Sequence, residues 1–407
     1  MYAKTFVFQK FYEKEEKVNT DSRIIEVVAG QLYQTGLGYG FVTEENRNQE
    51  ELLQIAELNA GFAVIDDRNA WREATEVCAD EYGCYVKNRM FPLCFKADVA
   101  RVGNYEITVK LYGKGDIYLF SGERRLSFME SLATEQEIIC NFSMNVCDMI
   151  PKGKTCLYEH RSVDIAIVGE YVRLQEICIK QQKCPTLYIA GGSMATGRIA
   201  GYPYEPQNCR CGWGQMLSMY LKPGITVSNQ AHEDMTTESF RTEGHYAIIQ
   251  SHMKLGDYLL LQFAPNNKEG YRADLVGYVE ETRAMGAYPI LVTPLPQTIQ
   301  TKEKENTQDE FEEYAQVCRE LGTMYRVPVI DLYGKGKTLA LESMEYFCPA
   351  DVKEINDYGA YRLAGYIVEQ YLGEFEKRKH TDAYSKLAGF MKREVMVWEP
   401  QKKTRVS

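Results

Sequence analysis

The first 180 residues of the chain alternate apolar and polar side chains with a period of two. The alternation is clearest in three segments: GNYEITVKLYG from Gly103, DIYLFSGERRLSF from Asp116 and VDIAIVGEYVRLQEICI from Val163. This period is typical of strands with one buried face, and Gly, Asn and Asp separate the segments as turns. With few helical stretches between them, the strands predict an antiparallel β-sandwich. The segment RNQEELLQIAEL from Arg47 interrupts them and predicts a short inserted helix.

From Leu187 onward the pattern changes to short apolar strands separated by amphipathic helices. The predicted strands are LYIAG, ITVSNQA, DYLLLQF, YPILVTPL and VPVIDL. This alternation predicts an α/β domain of three layers, a parallel sheet with helices on both faces. We therefore expect three parts: a β-sandwich accessory domain over 1–183, the α/β domain over 184–375, and a basic C-terminal helix and tail over 376–407.

The length and the charge of the chain limit the classes of protein to which it can belong. The chain has 407 residues, 45% of them hydrophobic, which is enough for two globular domains. Its formal net charge of -10 argues against a nucleic acid or an anionic membrane as partner. The segment from Glu376 to the end, however, contains nine Lys or Arg residues and only four Asp or Glu residues. We interpret this basic end as the solvated face of a helix, followed by a frayed terminus.

The sequence carries no recognisable targeting segment. The N-terminus MYAKTFVFQKFYEKEEK lacks the basic segment and apolar core of a secretory signal. No run of 18 apolar residues is present, so we expect no membrane span and a cytoplasmic protein. The twelve cysteines are irregularly spaced, which favours free thiols over disulfides and offers no zinc-binding pattern. We expect no cofactor and no metal, and the pattern does not predict an oligomeric state.

Polar residues collect in four loops that follow or adjoin the predicted strands. The loops are AGGSMAT (190–196), SNQAHEDMTTESF (228–240), LQFAPNNKE (261–269) and PADVKEINDYGA (349–360). Sites on parallel sheets lie beyond the carboxyl ends of the strands, so these loops predict a shared site. Ser193 lies on a glycine turn after a strand, where a hydrolase places its nucleophile. The alternative is that Ser193 caps the N-terminus of a helix.

The order and spacing of these segments resemble the SGNH (GDSL-type) hydrolases, and most closely their rhamnogalacturonan acetylesterase branch. The resemblance covers roughly 185–372 and rests on GWGQML, LKPGITVSNQA, SFRTEGHY, KLGDYLLLQF, PILVTPL and VPVIDLY, which stand in the family's order. It implies an SGNH/flavodoxin-like fold and the O-deacetylation of pectin-type oligosaccharides, with a small acetylated oligosaccharide as partner. The N-terminal half resembles the galactose-binding-like sandwich that precedes some bacterial members.

The resemblance also implies roles for individual residues, and three of the family's site positions are retained. Ser193 matches the nucleophilic serine, and Asn266 matches the asparagine that binds the oxyanion together with the serine amide. Asp351 matches the aspartate of the family's Asp-x-x-His pair. For Asn266, ordinary turn chemistry is an equal alternative. For Asp351 and its neighbour Glu354, the alternative is stabilisation of a helix N-terminus by acidic side chains.

The other family positions are replaced. Gly192 stands where the family has the aspartate of GDS, Asp234 stands in the oxyanion glycine pair, and Glu354 stands in place of the histidine. A carboxylate is about two pKa units less basic than imidazole, and an anion near the oxyanion opposes its formation. His232 is the histidine in a loop that faces the site, so it is the alternative base; we place His245 at the far end of the sheet or on its helical face. These replacements predict impaired ester hydrolysis.

Three hypotheses follow from this pattern. The first is an acetylesterase with an unusual base, and the second is a pseudoenzyme whose cleft binds glycans without hydrolysing them. The third is a divalent-cation site made by oxygen ligands from Asp234, Asp351, Glu354 and Asn266. Three aromatic residues near the site are either a sugar-stacking rim or plain packing: Tyr202, Tyr204 and Trp213.

Overall fold

A computed structural model describes residues 2–8, 23–47, 49–63, 75–263, 268–296, 311–377 and 382–400. The first domain is built from nine strands joined in one hydrogen-bonded sheet. They are β1 (Ala3–Phe8), β2 (Arg23–Val27), β3 (Tyr39–Val42), β4 (Val77–Asp80), β5 (Gly83–Val86), β6 (Leu93–Asp98), β7 (Gly103–Ser121), β8 (Arg125–Val146) and β9 (Ser162–Gln182). Apart from the parallel pair β1–β2, neighbouring strands run antiparallel, as the sequence predicts. The division of this sheet into a sandwich stays a prediction.

The strands β7, β8 and β9 are the long elements of the first domain. Alternate residues of β7, from Tyr105 to Leu111, are fully buried in one core, as expected for a strand with one buried face. Past the middle of β7 a second set, Tyr118 and Phe120, belongs to the core of the second domain instead. The long hairpin therefore serves both cores. The predicted inserted helix is a single turn, α1 (Glu51–Gln54), followed by a 3₁₀ turn at Ala56–Leu58.

The second domain contains a five-stranded parallel sheet in the order β11-β10-β12-β13-β14. The strands are β10 (Thr186–Gly191), β11 (Thr226–Asn229), β12 (Tyr258–Gln262), β13 (Tyr288–Val292) and β14 (Val329–Ile330), and a separate hairpin pairs β15 (Phe347–Cys348) with β16 (Asp351–Ile355). The helices are α2 (Trp213–Met216), α3 (Ser239–Thr242), α4 (His245–His252), α5 (Lys268–Ala284), α6 (Phe311–Tyr325), α7 (Leu332–Glu342), α8 (Asp357–Lys377) and α9 (Asp382–Phe390), with 3₁₀ turns at Leu217–Tyr220 and Met344–Tyr346. No helix within the described ranges is long and apolar enough to cross a membrane.

The parallel sheet is covered on both faces, which confirms the predicted three-layer α/β/α architecture. Alternate residues of β10 point to opposite sides: Leu187 and Ile189 lie in the core shared with α2, α8 and the first domain. Tyr188 and Ala190 lie in the other core, which α4, α5 and α6 complete. A strand buried on both faces reads as a continuous apolar run, which explains why LYIAG and DYLLLQF have no polar alternation.

The basic C-terminal part packs against the protein over its described length. After α9, Trp398 is buried and its ring lies 4.7 Å from the ring of Tyr358 and 5.6 Å from that of Tyr118. Lys392 donates a hydrogen bond to the carbonyl oxygen of Met219 at 2.8 Å. The expected helix is present as α9, and its Lys386 is exposed, but residues 391–400 pack against the protein through Met391 and Trp398 and do not form a frayed end. This segment joins the first domain to the second through a shared aromatic cluster.

The twelve cysteines are all free thiols, in agreement with the expectation from their spacing. Most of them are buried, and Cys156 is exposed. Burial raises the pKa of the Cys94 and Cys318 thiols to about 11, so they remain protonated at neutral pH. These buried cysteines act as small apolar residues of the cores.

Candidate active site

Ser193 lies in a tight turn directly after β10. The amide of Ala195 donates to the carbonyl of Gly192 at 3.1 Å and closes the turn. Gly191 must be glycine here, because an added Cβ would lie 2.3 Å from the carbonyl oxygen of Gln262 on the neighbouring strand. No helix follows the turn directly; the next, α2, begins at Trp213. The alternative that Ser193 caps a helix is therefore wrong.

Asp234 is the direct partner of Ser193. Its backbone amide donates to the Ser193 hydroxyl oxygen at 2.9 Å, and the hydroxyl donates to its carboxylate Oδ1 at 3.2 Å. Asp234 has φ +60°, a left-handed conformation that glycine adopts more readily than aspartate. A backbone amide aimed at the serine hydroxyl is the kind of donor that oxyanion holes use. Asp234 therefore offers the same backbone amide that a glycine would offer at this position, and it places a carboxylate beside that amide.

Glu354, at the end of β16, is held by an arginine. Its carboxylate lies 3.7 Å from Nη2 of Arg198, whose other nitrogen contacts Glu233, and Glu233 is also paired with Lys152. Burial raises the pKa of Glu233, but its hydrogen bonds to Lys152 and Arg198 more than offset this and lower the pKa overall. The described residues show no hydrogen bond between Glu354 and Ser193. Asn266 and the side chain of Asp351 lie outside the described part of the chain.

Two histidines, His232 and His245, lie together close to Asp234. The rings of His232 and His245 are 4.5 Å apart, and the amide of His232 donates to the carbonyl of Gly191 at 3.0 Å. Burial, followed by the neighbouring His232, lowers the pKa of His245 to about 4. Of the two positions predicted for His245, the helical face is correct, because His245 opens α4, which packs on one face of the sheet; the far end is wrong, because this residue lies beside the loop after β11. Nε2 of His232 is buried without a hydrogen-bond partner among the described residues, and no contact joins this ring to Ser193.

A small polar cavity lies next to these histidines and brings residues of both domains together. Its volume is about 20 Å³, enough for one water molecule. Thr196, His232 and His245 line it from the second domain, and Glu123 reaches it from the turn between β7 and β8. Burial raises the pKa of Glu123 from 4.5 to about 7. The first domain therefore places a carboxyl that is readily protonated close to the loops of the site.

Replacing Glu123 with glutamine should stabilise the protein at alkaline pH only. A carboxyl whose folded-state pKa is raised favours folding below its unfolded pKa near 4.5 and loses this contribution as the pH rises towards 7. We expect Glu123→Gln to raise the free energy of unfolding by about 1–2 kcal/mol at pH 8 and by little at pH 4. The value at pH 8 is reduced because the cavity beside Glu123 partly hydrates its charge. Urea unfolding at both pH values measures this. The exposed Glu137→Gln is the control; an equal gain at both pH values would contradict the burial of the Glu123 charge.

A fully buried ion pair joins the two domains beneath the site. Arg124, which has φ +59°, extends from the β7–β8 turn and bonds both carboxylate oxygens of Asp357 at 2.8 and 2.6 Å. It also donates to the backbone carbonyl oxygens of Arg198 and Arg210. Asp357 is the first residue of α8 and lies three residues after Glu354. Burial raises the pKa of the Asp357 carboxyl, although the charge of Arg124 acts to lower it. Arg124 therefore fixes the backbone of both segments that carry Arg198 and Glu354.

The three aromatic residues considered for a sugar-stacking rim do not form one. Trp213 is 0% exposed and its indole nitrogen donates to Gln262 at 3.3 Å. Tyr204 is 1% exposed and its hydroxyl donates to Asp357 at 2.6 Å. Tyr202 is partly buried, with its hydroxyl donating to Glu44 of the first domain at 2.9 Å. Packing is the correct alternative for Trp213 and Tyr204, and Tyr202 contacts the first domain.

The divalent-cation hypothesis finds no support in the part of the chain that the structure describes. Within it, no group of three or more His, Cys, Asp or Glu residues is placed to hold a metal ion. Two of the four oxygen ligands in that hypothesis, Asn266 and the Asp351 side chain, lie outside it. Of the other two, Asp234 is engaged by Ser193 and Glu354 by Arg198.

Comparisons with known proteins find that the chain is similar in sequence to esterases. No family model matches the chain. The chain is 32% identical over 136 residues to rhamnogalacturonan acetylesterase RhgT of Bacillus subtilis (strain 168), covering 31% of this chain and 58% of that protein. It is 32% identical over 286 residues to the uncharacterized esterase YxiM of the same organism, covering 66% of this chain and 65% of that one. The crystal structure of Bacillus subtilis YxiM matches with a TM-score of 0.44 at 18% identity and covers 92% of this chain and 99% of that chain.

The parallel sheet with a serine turn after its first strand has the SGNH-type fold that the sequence predicts, and the relatives that the chain matches in sequence are esterases. Two of these relatives are named as rhamnogalacturonan acetylesterases, one of them as a probable one. The chain spans less than two thirds of the length of RhgT and of YxiM.

Proposed function

We propose that the protein is a carbohydrate esterase that removes acetyl groups from pectin-type oligosaccharides, with Ser193 as nucleophile. The observation that carries the proposal is the contact of the Ser193 hydroxyl with both the amide and the carboxylate of Asp234. The relatives named rhamnogalacturonan acetylesterases support the choice of substrate. The chemistry is acyl transfer to a serine, followed by hydrolysis of the acyl-enzyme.

The proposed reaction needs a base to remove the serine proton. As Ser193 Oγ bonds to the acetyl carbon, its proton passes to a carboxylate, and the sugar oxygen leaves with a proton from the same group. Water then attacks the acetyl-serine and releases acetate. Asp234 is the carboxylate in contact with Ser193, whereas Glu354 is paired with Arg198. A carboxylate is about two pKa units less basic than imidazole, so this proton transfer is slow.

The oxyanion that forms on the acetyl oxygen meets two opposing influences. The amide of Asp234 points towards the serine hydroxyl and can donate to this oxygen, with the Ser193 amide as the second donor. The Asp234 carboxylate is on the same residue and repels the developing charge. Since loss of one oxyanion donor costs about 10²–10³ in rate, a negative charge beside the donors is at least as harmful. We therefore propose a slow esterase.

A second candidate function is a glycan-binding pseudoenzyme. It is favoured by the arginine contact of Glu354, because among the described residues this carboxylate is paired with a guanidinium and is not hydrogen-bonded to the serine as a base would be. In that case the cleft binds acetylated oligosaccharides without releasing acetate.

Replacing Ser193 with alanine separates the two functions. For the esterase, Ser193→Ala should reduce acetate release from acetylated rhamnogalacturonan oligosaccharides at least about 100-fold, because the acyl acceptor is lost. Acetate is measured by an enzyme-coupled assay with the full chain. Ser131→Ala, which removes an exposed hydroxyl from β8 of the first domain, is the matched control. If the unmodified protein and Ser193→Ala release acetate equally, the esterase is excluded; retained oligosaccharide binding would then support the pseudoenzyme.

A further inference from the structure

We propose that the first domain carries a second binding site, which recognises a carboxylate-bearing oligosaccharide. The site is a pocket of about 490 Å³ on the nine-stranded sheet, a volume in the usual range for small ligands. Four parts of the chain form it: the end of β5 with the segment after it, the middle of β7, the middle of β8 and the middle of β9. It is separate from the turn that holds Ser193.

The pocket lies where the long strands bend. The pairing of β7 shifts register between Gly113 and Gly115 against β8, and again between Lys114 and Ile117 against β9. An added Cβ on Gly113 would lie 2.5 Å from the carbonyl oxygen of Tyr171, so the strands approach too closely for a side chain. Bulges of this kind bend a strand, redirect side chains and are frequent beside binding sites. Here the bend opens the concave surface that forms the pocket.

Arg173 is the central cation of the pocket, and it is rigidly held. Its guanidinium carbon lies 4.1 Å from the ring centre of Tyr85 and 3.8 Å from that of Tyr171, and its Nε donates to Asp80 at 2.9 Å. Its side chain is only 12% exposed. Among the described residues, no acceptor bonds its two terminal nitrogens. A planar, preorganised guanidinium with free terminal N–H groups matches a carboxylate in a bidentate hydrogen bond.

Three further cations line the same pocket. Arg89 is exposed, and no carboxylate in the described ranges lies within ion-pair distance of it. Lys114 pairs with the exposed Glu135, and Lys87 lies 3.5 Å from the exposed Glu76. Exposed pairs of this kind are weak and exchange readily for a ligand. The lining also includes one exposed carboxylate, Glu170, against four cations; in a chain of net charge -10, this excess of cations favours an anionic ligand.

The remaining lining favours a sugar over a simple anion. Phe91, Leu93 and Leu132 are buried side chains that form an apolar floor, suited to the C–H face of a sugar ring. A uronic acid combines such a face with a ring carboxylate, and pectin-type chains contain uronic acids. The choice of this ligand rests on the proposed function, whereas the requirement for a carboxylate rests on Arg173 and Arg89 alone. The pocket would hold the polymer while the serine site acts on another part of it.

Calorimetric titration of the full-length Ser193→Ala protein with trigalacturonate tests the site without hydrolysis. We expect binding to trigalacturonate, weakened at least about tenfold by Arg173→Gln and measurably by Arg89→Gln, because each change removes a donor to the carboxylate. Arg101→Gln, on the same domain but outside the pocket, should bind as the parent does. A neutral galactotriose should show no binding. Thermal unfolding verifies that the variants are folded, and the exposed Arg89 tests the site even if Arg173→Gln disturbs folding.

Unchanged affinity in folded Arg173→Gln and Arg89→Gln would overturn the proposal, as would equal binding of the neutral trisaccharide. The acetate assay on the unmodified protein gives the separate result for the proposed function. Binding that depends on Arg173 without acetate release would refute the esterase and retain the second site. Acetate release without Arg173-dependent binding would support the esterase and refute the second site.

Discussion

Replacing Arg124 with alanine is expected to lower the free energy of unfolding by about 3–5 kcal/mol, the range observed when one partner of a buried ion pair is removed. Arg124 and Asp357 are both 0% exposed, so the change leaves an uncompensated carboxylate in the interior. It also removes the Arg124 hydrogen bonds to the backbone carbonyls of Arg198 and Arg210, of which Arg198 keeps a donor in Gln215. Urea unfolding followed by tryptophan fluorescence measures the loss.

Two variants show whether the buried charge causes the effect. Arg161→Ala removes an exposed arginine, paired with Glu159 in the same domain, and should cost less than about 1 kcal/mol. Arg124→Met combined with Asp357→Leu removes both buried charges and should recover part of the stability lost in Arg124→Ala. A loss below about 1 kcal/mol for Arg124→Ala would show that the pair does not hold the domains together.

The same pair makes the first domain part of the structure around the site. Without residues 1–183, Asp357 would lose Arg124 and the shared core would lose Tyr118 and Phe120. The term accessory domain, which the resemblance implies, therefore describes its position in the chain and not its physical independence. Both the cavity carboxyl of Glu123 and the Arg124 pair come from one turn of that domain.

The sequence predicted the architecture of the second domain well because local patterns encode it. Strands buried on both faces appear as short apolar runs, and the helices between them show helical spacing, so the layers follow from the period of the pattern. The meeting of Ser193 with Asp234 also followed from topology, since β10 and β11 are neighbours whose following loops share one edge. These predictions needed only the order of elements along the chain.

The surroundings of the site could not be predicted in the same way. Arg198 lies in a long loop with no periodic pattern, so nothing in the sequence pairs it with Glu354. Arg124 comes from another domain, 233 positions before Asp357, and its one local signal is a pair of arginines in a turn between apolar strands. The contact of His245 with His232 was missed because it joins the first turn of α4 to the loop after β11, which are separate segments of the chain. Each of these depends on tertiary packing.

Restoring two family residues together is expected to raise kcat/KM for acetate release at least about 100-fold. Glu354→His supplies an imidazole that is about two pKa units more basic than a carboxylate. Asp234→Gly removes the negative charge next to the oxyanion, keeps the backbone amide, and suits the φ of +60° at that position. Each single change should give less than about tenfold, because a base and an oxyanion site that act as a unit have strongly non-additive effects.

The comparison with Asp234→Gly combined with Glu354→Gln isolates the contribution of the base. Glutamine has a size similar to that of glutamate but cannot accept the serine proton, so this double variant should remain slow although the oxyanion site is repaired. Arg198 keeps Glu233 as a partner in every variant, so its guanidinium stays paired when Glu354 is replaced. If Glu354→His alone gave the full gain, the Asp234 carboxylate would not oppose the oxyanion. Asp234 would then need another role, and its contact with Ser193 would allow it to act as the base.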